Sequence, residues 1–180
     1  MESQQTGTNC QNYLRLFITA GLVFLLDQLS KFWITQILPF GSYFAEDSIP
    51  VIDEFFYLVH IGNRGAAWGL FEGQGKILAC IALLALYLMY RYRKMLQLER
   101  PSQQFIFGFI TGGIIGNLVD RLLHGYVIDF LDFHFSFSIP YLLEGGRYPA
   151  FNVADSGIVI GVTAYFILSC FEKTETKEAS

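Results

Sequence analysis

The sequence has few charged residues and few cysteines for its 180 residues. Lys, Arg, Asp and Glu make up only 16% of the chain, whereas a typical soluble domain has about 25% charged residues. The formal net charge is −4, so no surplus of positive charge is available to bind nucleic acid. The three cysteines, Cys10, Cys80 and Cys170, have the spacing of neither a metal site nor a disulfide framework. These shortages exclude ordinary soluble, nucleic-acid-binding and disulfide-rich proteins.

Hydrophobic residues are abundant instead, at 53% of the chain, and aromatic residues make up 17%. This excess excludes a disordered chain, and the length suits a single domain over residues 1–180. Four apolar stretches predict an all-α membrane protein with four transmembrane helices. The predicted spans cover about 16–38, 74–92, 102–122 and 149–171. The second is the weakest, because only 14 uncharged residues separate Lys76 from Arg91.

Positive charges lie mostly on one side of the predicted spans. Seven Lys and Arg residues flank the spans on the side of both termini, and two lie in the loops on the other side. The seven are Arg15, Arg91, Arg93, Lys94, Arg100, Lys173 and Lys177, and the two are Arg64 and Arg147. Positive segments stay in the cytoplasm, so we expect cytoplasmic termini and two outward-facing loops. The first span lacks a signal-peptide pattern and is expected to be a retained anchor.

The first outer loop, about 42–72, has the composition of β-structure. Residues 51–61 are rich in β-branched and aromatic side chains, and Gly62 and Gly65 follow them. This pattern predicts one or two short strands outside the membrane.

Ionisable residues interrupt the apolar stretches, where a charge costs about 2.5–3.5 kcal/mol on insertion scales. Asp27 and Lys31 are four residues apart on the first span, so they share a helical face and can form an ion pair. The pair either serves a functional site or only locks the first span against its neighbours.

A second polar group closes the third span. Asn117, Asp120 and Arg121 share one helical face, and the Arg121 guanidinium can hold a carboxylate or a backbone carbonyl. We expect Asp120, its neighbour in sequence, to be the partner of Arg121. The alternative is a solvated ion pair at a helix end with no further role.

Two aspartates distant in sequence should meet at the outer edge of the membrane. Asp129 follows the outward-running third span, and Asp155 lies about one turn below the outer end of the inward-running fourth span. Two buried carboxylates in contact share a proton, which supplies one base and one acid at neutral pH. Asp132 is a rival for the position of Asp129, and spacing alone does not exclude it.

Polar residues near these aspartates belong to the same predicted site. Asn152 is three residues before Asp155 and shares its helical face. Asn63 and Gly65, from the first outer loop, reach the same side of the membrane.

Other chemistries have little support in the sequence. His60, His124 and His134 are isolated and are expected to be hydrogen-bonded packing residues, so we predict no metal and no cofactor. Ser30 and Lys31 are adjacent, which points them apart on a helix and argues against a Ser–Lys dyad. Gly112, Gly113 and Gly116 are interpreted as close-packing positions on the third span.

Taken together, the motifs resemble the bacterial lipoprotein signal peptidases. The matching segments are Asp27-Gln-Leu-Ser-Lys31, Asn63-Arg-Gly-Ala-Ala67, Gly116-Asn-Leu-Val-Asp-Arg121, Val127-Ile-Asp-Phe130 and Phe151-Asn-Val-Ala-Asp155. They occur in the order of that family and span residues 27–155. Two departures stand out: Trp68 replaces the usual Phe, and the stretch 135–147 is longer than usual.

The resemblance implies a multi-pass aspartyl peptidase of the bacterial inner membrane that needs no cofactor. Its substrates would be lipoprotein precursors carrying a diacylglyceryl group on a cysteine, and it would cut just before that cysteine. The resemblance, not the spacing, selects Asp129 and Asp155 as the catalytic pair. It also implies a small extracytoplasmic β-subdomain and a monomer among membrane lipids, working near the periplasmic side.

The resemblance further assigns roles to the surrounding polar residues. Substrate positioning would fall to Asn63, Gly65, Asn117, Arg121 and Asn152, while Asp27 and Lys31 would support the architecture. Two other functions stay open: an ion- or proton-coupled transporter using Asp27, Asp120 and Asp155 as relay groups, and a structural assembly factor.

Overall fold

The structure is a computed structural model that describes residues 13–42, 47–66, 70–140, 143 and 145–178. Cys10 and Trp68 lie outside the described residues.

The described part of the chain contains four α-helices. They are α1 (Leu14–Ile37), α2 (Gly75–Arg91), α3 (Pro101–Leu123) and α4 (Val153–Glu178). Helices α1 and α3 and the part of α4 from Val153 to Phe171 are long and apolar enough to cross a membrane. Helix α2 has 17 residues, about 26 Å of helix against a hydrocarbon core of about 30 Å.

Helix α4 begins four residues after the predicted start of the fourth span. The preceding residues form an extended segment in which the Phe151 N–H donates to the Leu131 carbonyl at 3.1 Å. Pro149 also disfavours helical geometry in the residue before it. The first residues of the predicted fourth span are therefore paired with β3 and do not belong to the helix.

Helix α3 packs against both α1 and α4, and glycines make the close approach possible. A Cβ atom added at Gly112 would meet the Ala20 carbonyl of α1, and one added at Gly113 would meet the Ala154 carbonyl of α4. A Cβ at Gly116 would meet the Asp27 carboxylate at 2.5 Å. The predicted close-packing role of these glycines is confirmed.

The helices bury polar residues and expose apolar ones, the reverse of a soluble bundle. Asp27, Lys31 and Asp120 are buried, whereas Phe17 and Phe166 are more than 60% exposed. Such an apolar exterior suits lipid as the surrounding medium, because it needs no contact with water.

A small antiparallel sheet lies at one end of the helices. Its strands are β1 (Ile49–Ile52), β2 (Phe56–Asn63) and β3 (Val127–Phe133), in the order β1-β2-β3. The first two fall where the sequence predicted strands. The third was not predicted, although Val127, Ile128 and Phe130 have high β-propensity.

The long stretch between β3 and α4 folds back on itself. His134 pairs with Arg147 and Ile139 with Leu143 as isolated bridges, and the Tyr148 N–H returns to the Phe133 carbonyl at 3.0 Å. This excursion therefore extends the sheet before the chain enters α4.

Candidate active site

A cavity of about 660 Å³ lies between the sheet and the start of α4. The residues that line it include Asn63, Gly65, Glu72, Asp129, Tyr148 and Asp155. Two carboxylates that are 26 positions apart in the sequence, Asp129 and Asp155, thus open into one space, as the sequence predicted.

Asp129 lies on β3 opposite Ile61 of β2, and it is 2% exposed. The Asn63 side-chain amide donates to Oδ2 at 2.9 Å, and the Asn152 amide donates to Oδ1 at 2.7 Å. Burial, reinforced by the Asp155 carboxylate, raises the pKa of Asp129 to about 7, and the two amide donors offset part of the rise. Asp129 therefore exchanges its proton near neutral pH.

Asp155 is fixed by the first turn of α4. The Asp155 N–H donates to Asn152 Oδ1 at 2.9 Å, and the Asn152 N–H donates back to Asp155 Oδ2 at 3.3 Å. This reciprocal pair is a capping box built from Asn and Asp. The next free N–H of the turn, on Ala154, donates to Asp27 Oδ1 of α1 at 2.9 Å. The helix start and the position of Asp155 are thus tied to both the cap and α1.

Two asparagines link the carboxylates in one hydrogen-bonded chain. Asn117 Nδ2 on α3 donates to Asp155 Oδ1 at 2.7 Å, and Asn152 Nδ2 lies 3.2 Å from Asn117 Oδ1. Because Asn152 also donates to Asp129, a shift of either asparagine would move both carboxylates.

Lys31 lies beneath the two hydrogen-bonded asparagines and is 1% exposed. Each of its three N–H groups has an oxygen partner. Its Nζ atom is 2.7 Å from Asp27, 2.8 Å from Asp120 and 3.1 Å from Asn117 Oδ1. The predicted Asp27–Lys31 pair therefore forms. It connects directly to Asn117, and through it to Asp155.

The expected partnership of Asp120 with Arg121 is wrong. Asp120 pairs with Lys31, and its Oδ2 also accepts the Ile128 N–H at 3.1 Å. Neighbouring side chains on a helix point about 100° apart, which explains why Arg121 faces elsewhere. Arg121 instead donates to the Gly65 carbonyl at 3.0 Å and to the Asn117 carbonyl at 3.2 Å.

Gly65 completes the contact between the outer loop and α3. Its N–H donates to Asn63 Oδ1 at 2.9 Å, which orients the Asn63 amide toward Asp129. A Cβ at Gly65 would lie 2.8 Å from the Leu70 carbonyl, so glycine is required there. This segment therefore supplies both the Asn63 amide that donates to Asp129 and the Gly65 carbonyl that accepts from Arg121.

Asp132 does not share the cavity. It is three residues from Asp129 on β3, and an odd separation places the two side chains on opposite faces of a strand. Asp132 is 1% exposed and binds Arg147 through both carboxylate oxygens, at 2.5 and 3.1 Å, and His134 at 3.0 Å. The alternative that spacing left open is thus resolved in favour of Asp129 as the neighbour of Asp155.

Sequence reasoning missed three residues near the site. Gln28 donates to both Asp27 and Asp120, at 3.0 and 3.1 Å, while Glu72 and Tyr148 line the cavity. Gln28 stands inside the first matching motif and next to Asp27, which is a usable signal. Glu72 and Tyr148 had no such signal, because their positions depend on how two loops fold.

The geometry supports acid–base chemistry on a substrate that enters the cavity. A carboxyl group with a pKa near 7 beside a second carboxylate can hold the shared proton, so the pair offers one acid and one base. Within the residues the structure describes, no cluster of His, Cys, Asp and Glu has the geometry to hold a metal ion.

Comparison with known proteins identifies relatives along almost the whole chain. The family described as signal peptidase (SPase) II matches residues 19–171. The lipoprotein signal peptidase of Desulforapulum autotrophicum is 36% identical to this chain, over 92% of this chain and 97% of its own length. That of Aeromonas hydrophila is 34% identical, over 96% of this chain and 98% of its own length. That of Bacillus pumilus is 34% identical over 91% of this chain and 97% of its own.

Solved structures give the same result for the fold. A bacterial membrane enzyme superposes with a TM-score of 0.74 and 28% identity, over 90% of both chains. A second one has a TM-score of 0.69 and 29% identity, over 85% of this chain and 90% of its own. The agreement of sequence family, curated relatives and fold shows that this chain belongs to the signal peptidase II family of aspartic-type membrane peptidases.

Proposed function

We propose that the protein is a membrane aspartyl endopeptidase that removes the signal peptide from diacylglyceryl-modified lipoprotein precursors. It cuts just before the lipid-bearing cysteine and leaves the lipid in the bilayer. The proposal is supported by relatives that bear the name lipoprotein signal peptidase and by an apolar exterior that would keep the enzyme beside a lipidated substrate.

Asp129 and Asp155 are proposed as the catalytic pair. The observation that carries this assignment is that both carboxylates open into one cavity and are braced by the same residue, Asn152. In the reaction, the ionised carboxylate takes a proton from a water molecule, whose oxygen attacks the scissile carbonyl. The protonated partner donates its proton to the carbonyl oxygen, and the tetrahedral intermediate forms. As the intermediate collapses, one of its hydroxyl groups returns a proton to the carboxylate that had donated one, the C–N bond breaks, and the amine leaves with the proton that the base had taken.

The surrounding polar residues would position the peptide. Arg121 is half-buried and donates to the Gly65 and Asn117 carbonyls, and the remaining N–H groups of its five-donor guanidinium can bind a substrate carbonyl. Asn63, Gly65, Asn117 and Asn152 hold the carboxylates and Arg121 in place beforehand, which lowers the cost of organising the transition state.

Asp27 and Lys31 are proposed to act on the architecture and not on substrate. Asp27 receives the Ala154 N–H, and Lys31 reaches Asn117, so both sides of the pair support the start of α4. Their burial beneath the asparagines is consistent with that role.

The membrane arrangement follows from the charge distribution. We propose four spans, with α2 as a short fourth member whose terminal Lys76 and Arg91 extend toward the membrane surfaces. Both termini would be cytoplasmic and the cavity periplasmic, in the inner membrane, with the enzyme acting as a monomer.

A relay transporter would need acids lining a path across the membrane. Here Asp27 and Asp120 form ion pairs with Lys31. The family assignment favours the peptidase over both the relay transporter and the structural assembly factor.

Cleavage by the purified full chain in detergent tests this function. The substrate is a diacylglyceryl-modified precursor, compared with the same precursor carrying an unmodified cysteine. Asp155→Asn serves as the inactive control, and Asp53→Asn, an exposed acid in the turn between β1 and β2, as the active control. The proposal predicts a product that begins at the lipidated cysteine, little cleavage of the unmodified precursor, and full activity in the presence of a metal chelator. Equal cleavage of both precursors, or loss of activity with chelator, would contradict it.

A further inference from the structure

A second cavity lies at the other end of the helices, where α1 begins and α2 ends. Its volume is about 220 Å³, and its lining is almost entirely apolar. Three side chains come from the start of α1 and three from the last two turns of α2. They are Tyr13, Leu16 and Phe17, and Leu86, Met89 and Tyr90. Thr111 of α3 lies in the same lining. We call this cavity the α1–α2 groove.

The groove is too small for most bulky ligands but suits a slender apolar chain. Pockets for drug-sized ligands occupy about 300–1,000 Å³, more than is available here. Two of its walls belong to α1 and α3, which are long and apolar enough to cross a membrane, and the α2 side chains in its lining are apolar or aromatic, so lipid can reach it. Part of an acyl chain fits a cavity of about 220 Å³, and its apolar surface matches the lining.

Positive charge gathers at the mouth of the groove. Arg93 lines the groove itself, with Arg91, the last residue of α2, and Lys94 beside it. Within the described part of the chain, none of these three forms an ion pair, and the acid lying closest in sequence is the exposed Glu99. Among the described side chains, none of these three charges is therefore neutralised by an ion pair, and Glu99 lines a separate surface hollow together with Lys94.

Arg93 is held in a fixed orientation at this mouth. Its guanidinium lies 4.7 Å from the centre of the Tyr90 ring, and its Nη1 donates to the Tyr90 carbonyl at 3.0 Å. A guanidinium has five N–H donors in a planar fork that matches phosphate, so most of its donors remain for a ligand.

We propose that the α1–α2 groove is a binding site for an anionic phospholipid. One acyl chain of the lipid occupies the groove, and its phosphate binds Arg93, with Arg91 and Lys94 adding to the positive field. Basic residues beside a cleft between membrane helices bind acidic headgroups in the same way, and each contributes to affinity near the membrane surface. The site is separate from the cavity that holds Asp129 and Asp155, so its occupancy does not depend on the proposed peptidase chemistry.

Native mass spectrometry of the purified full chain can test the site. The protein is offered equal amounts of phosphatidylglycerol and phosphatidylcholine with identical acyl chains. The wild type should retain phosphatidylglycerol in preference, and Arg93→Gln should lower that preference about fivefold, while Arg93→Lys keeps most of it. Met89→Trp, which fills the groove without changing charge, should lower the amount of either lipid retained.

Arg15→Gln is the matched control. Arg15 begins α1 at the same level, but it lies roughly 150° around the helix from the direction shared by Tyr13, Leu16 and Phe17. Its loss should leave the preference unchanged. The proposal is wrong if the wild type retains both lipids equally or if Arg15→Gln and Arg93→Gln have equal effects. It is also wrong if Met89→Trp binds lipid like the wild type, or if chain-free glycerol phosphate competes as well as phosphatidylglycerol. Cleavage of a lipidated precursor by each variant shows separately whether the peptidase activity is intact.

Discussion

A lysine removed from water is stable only when its charge is matched, and Lys31 is matched by two carboxylates and an amide oxygen. Asp27 and Asp120 are in turn buried, so each depends on the lysine. The group therefore behaves as one unit, in which the loss of the cation leaves two carboxylates uncompensated.

Replacing Lys31 with Met should lower the free energy of unfolding by about 3–5 kcal/mol, because it breaks a buried ion pair by removing one partner. The thermal midpoint of the purified protein in detergent measures this effect. Lys76→Met is the matched control, since Lys76 is exposed at the start of α2. Equal midpoints for the two variants would mean that the buried group adds nothing to stability.

Asp129 gives a prediction about pH. The folded protein holds a proton on Asp129 up to its pKa of about 7, whereas the unfolded chain releases it near 3.8. The free energy of unfolding should therefore decrease as the pH rises between these values, by on the order of 4 kcal/mol in all, with the loss complete above pH 7.

Thermal midpoints recorded between about pH 5 and pH 8 test that dependence. The wild type and Asp53→Asn should lose stability over this range, and Asp129→Asn should lose much less. A wild-type midpoint that rises steadily toward pH 8 would show that Asp129 ionises as an ordinary acid.

At the scale of elements, the position of Asp155 depends on how closely α4 approaches α3. Gly113 faces the Ala154 carbonyl, one residue before Asp155. Gly113→Ala should push the start of α4 outward and misplace the carboxylate. Overpacking of this kind costs about 1–3 kcal/mol, and a displacement near 1 Å can lower kcat by about 100-fold.

Gly21→Ala is the control for that substitution, because a Cβ at Gly21 of α1 meets nothing within 4 Å. The comparison requires kcat for precursor cleavage and the thermal midpoint of both variants. Equal kcat values would show that the α3–α4 spacing does not govern the site.

The elements also show what the sequence could and could not predict. Apolar length located the helices, and the spacing of Asp27 and Lys31 predicted their pair, because both depend on local geometry. Strand β3 was missed because residues 127–133 were placed in the loop that follows the third span. Without the strand, nothing in the spacing could place Asp129 and Asp132 on opposite faces.

The partner of Asp120 was mispredicted for a related reason. Adjacency to Arg121 was visible in the sequence, whereas the contact with Lys31 requires α1 and α3 to pack through Gly116. Long-range packing also determines the capping of α4 by Asp27, a contact between residues 127 positions apart. Motif order could suggest that these residues belong together but not which atoms meet.

At the scale of the whole molecule, polar chemistry is concentrated in one layer between an apolar exterior and a small sheet. Helices α1, α3 and α4 supply the buried residues that support the site. Strand β3 supplies the Asp129 carboxylate, and the end of β2 supplies the Asn63 amide. Under the proposed function, a peptide would enter from the sheet side while its attached lipid stays against the exposed apolar faces. The two carboxylates lie at the centre of this polar layer.

The most direct test of that centre is the kcat for cleavage of a diacylglyceryl-modified precursor by Asp129→Asn, Asp155→Asn and the double variant. If the two carboxylates share one proton and act as a unit, each single substitution lowers kcat by about 10²–10⁴-fold or more, and the double variant is hardly worse than either. Asp53→Asn should match the wild type. Near-normal cleavage by either single variant, in protein with a wild-type thermal midpoint, would show that Asp129 and Asp155 are not the catalytic pair.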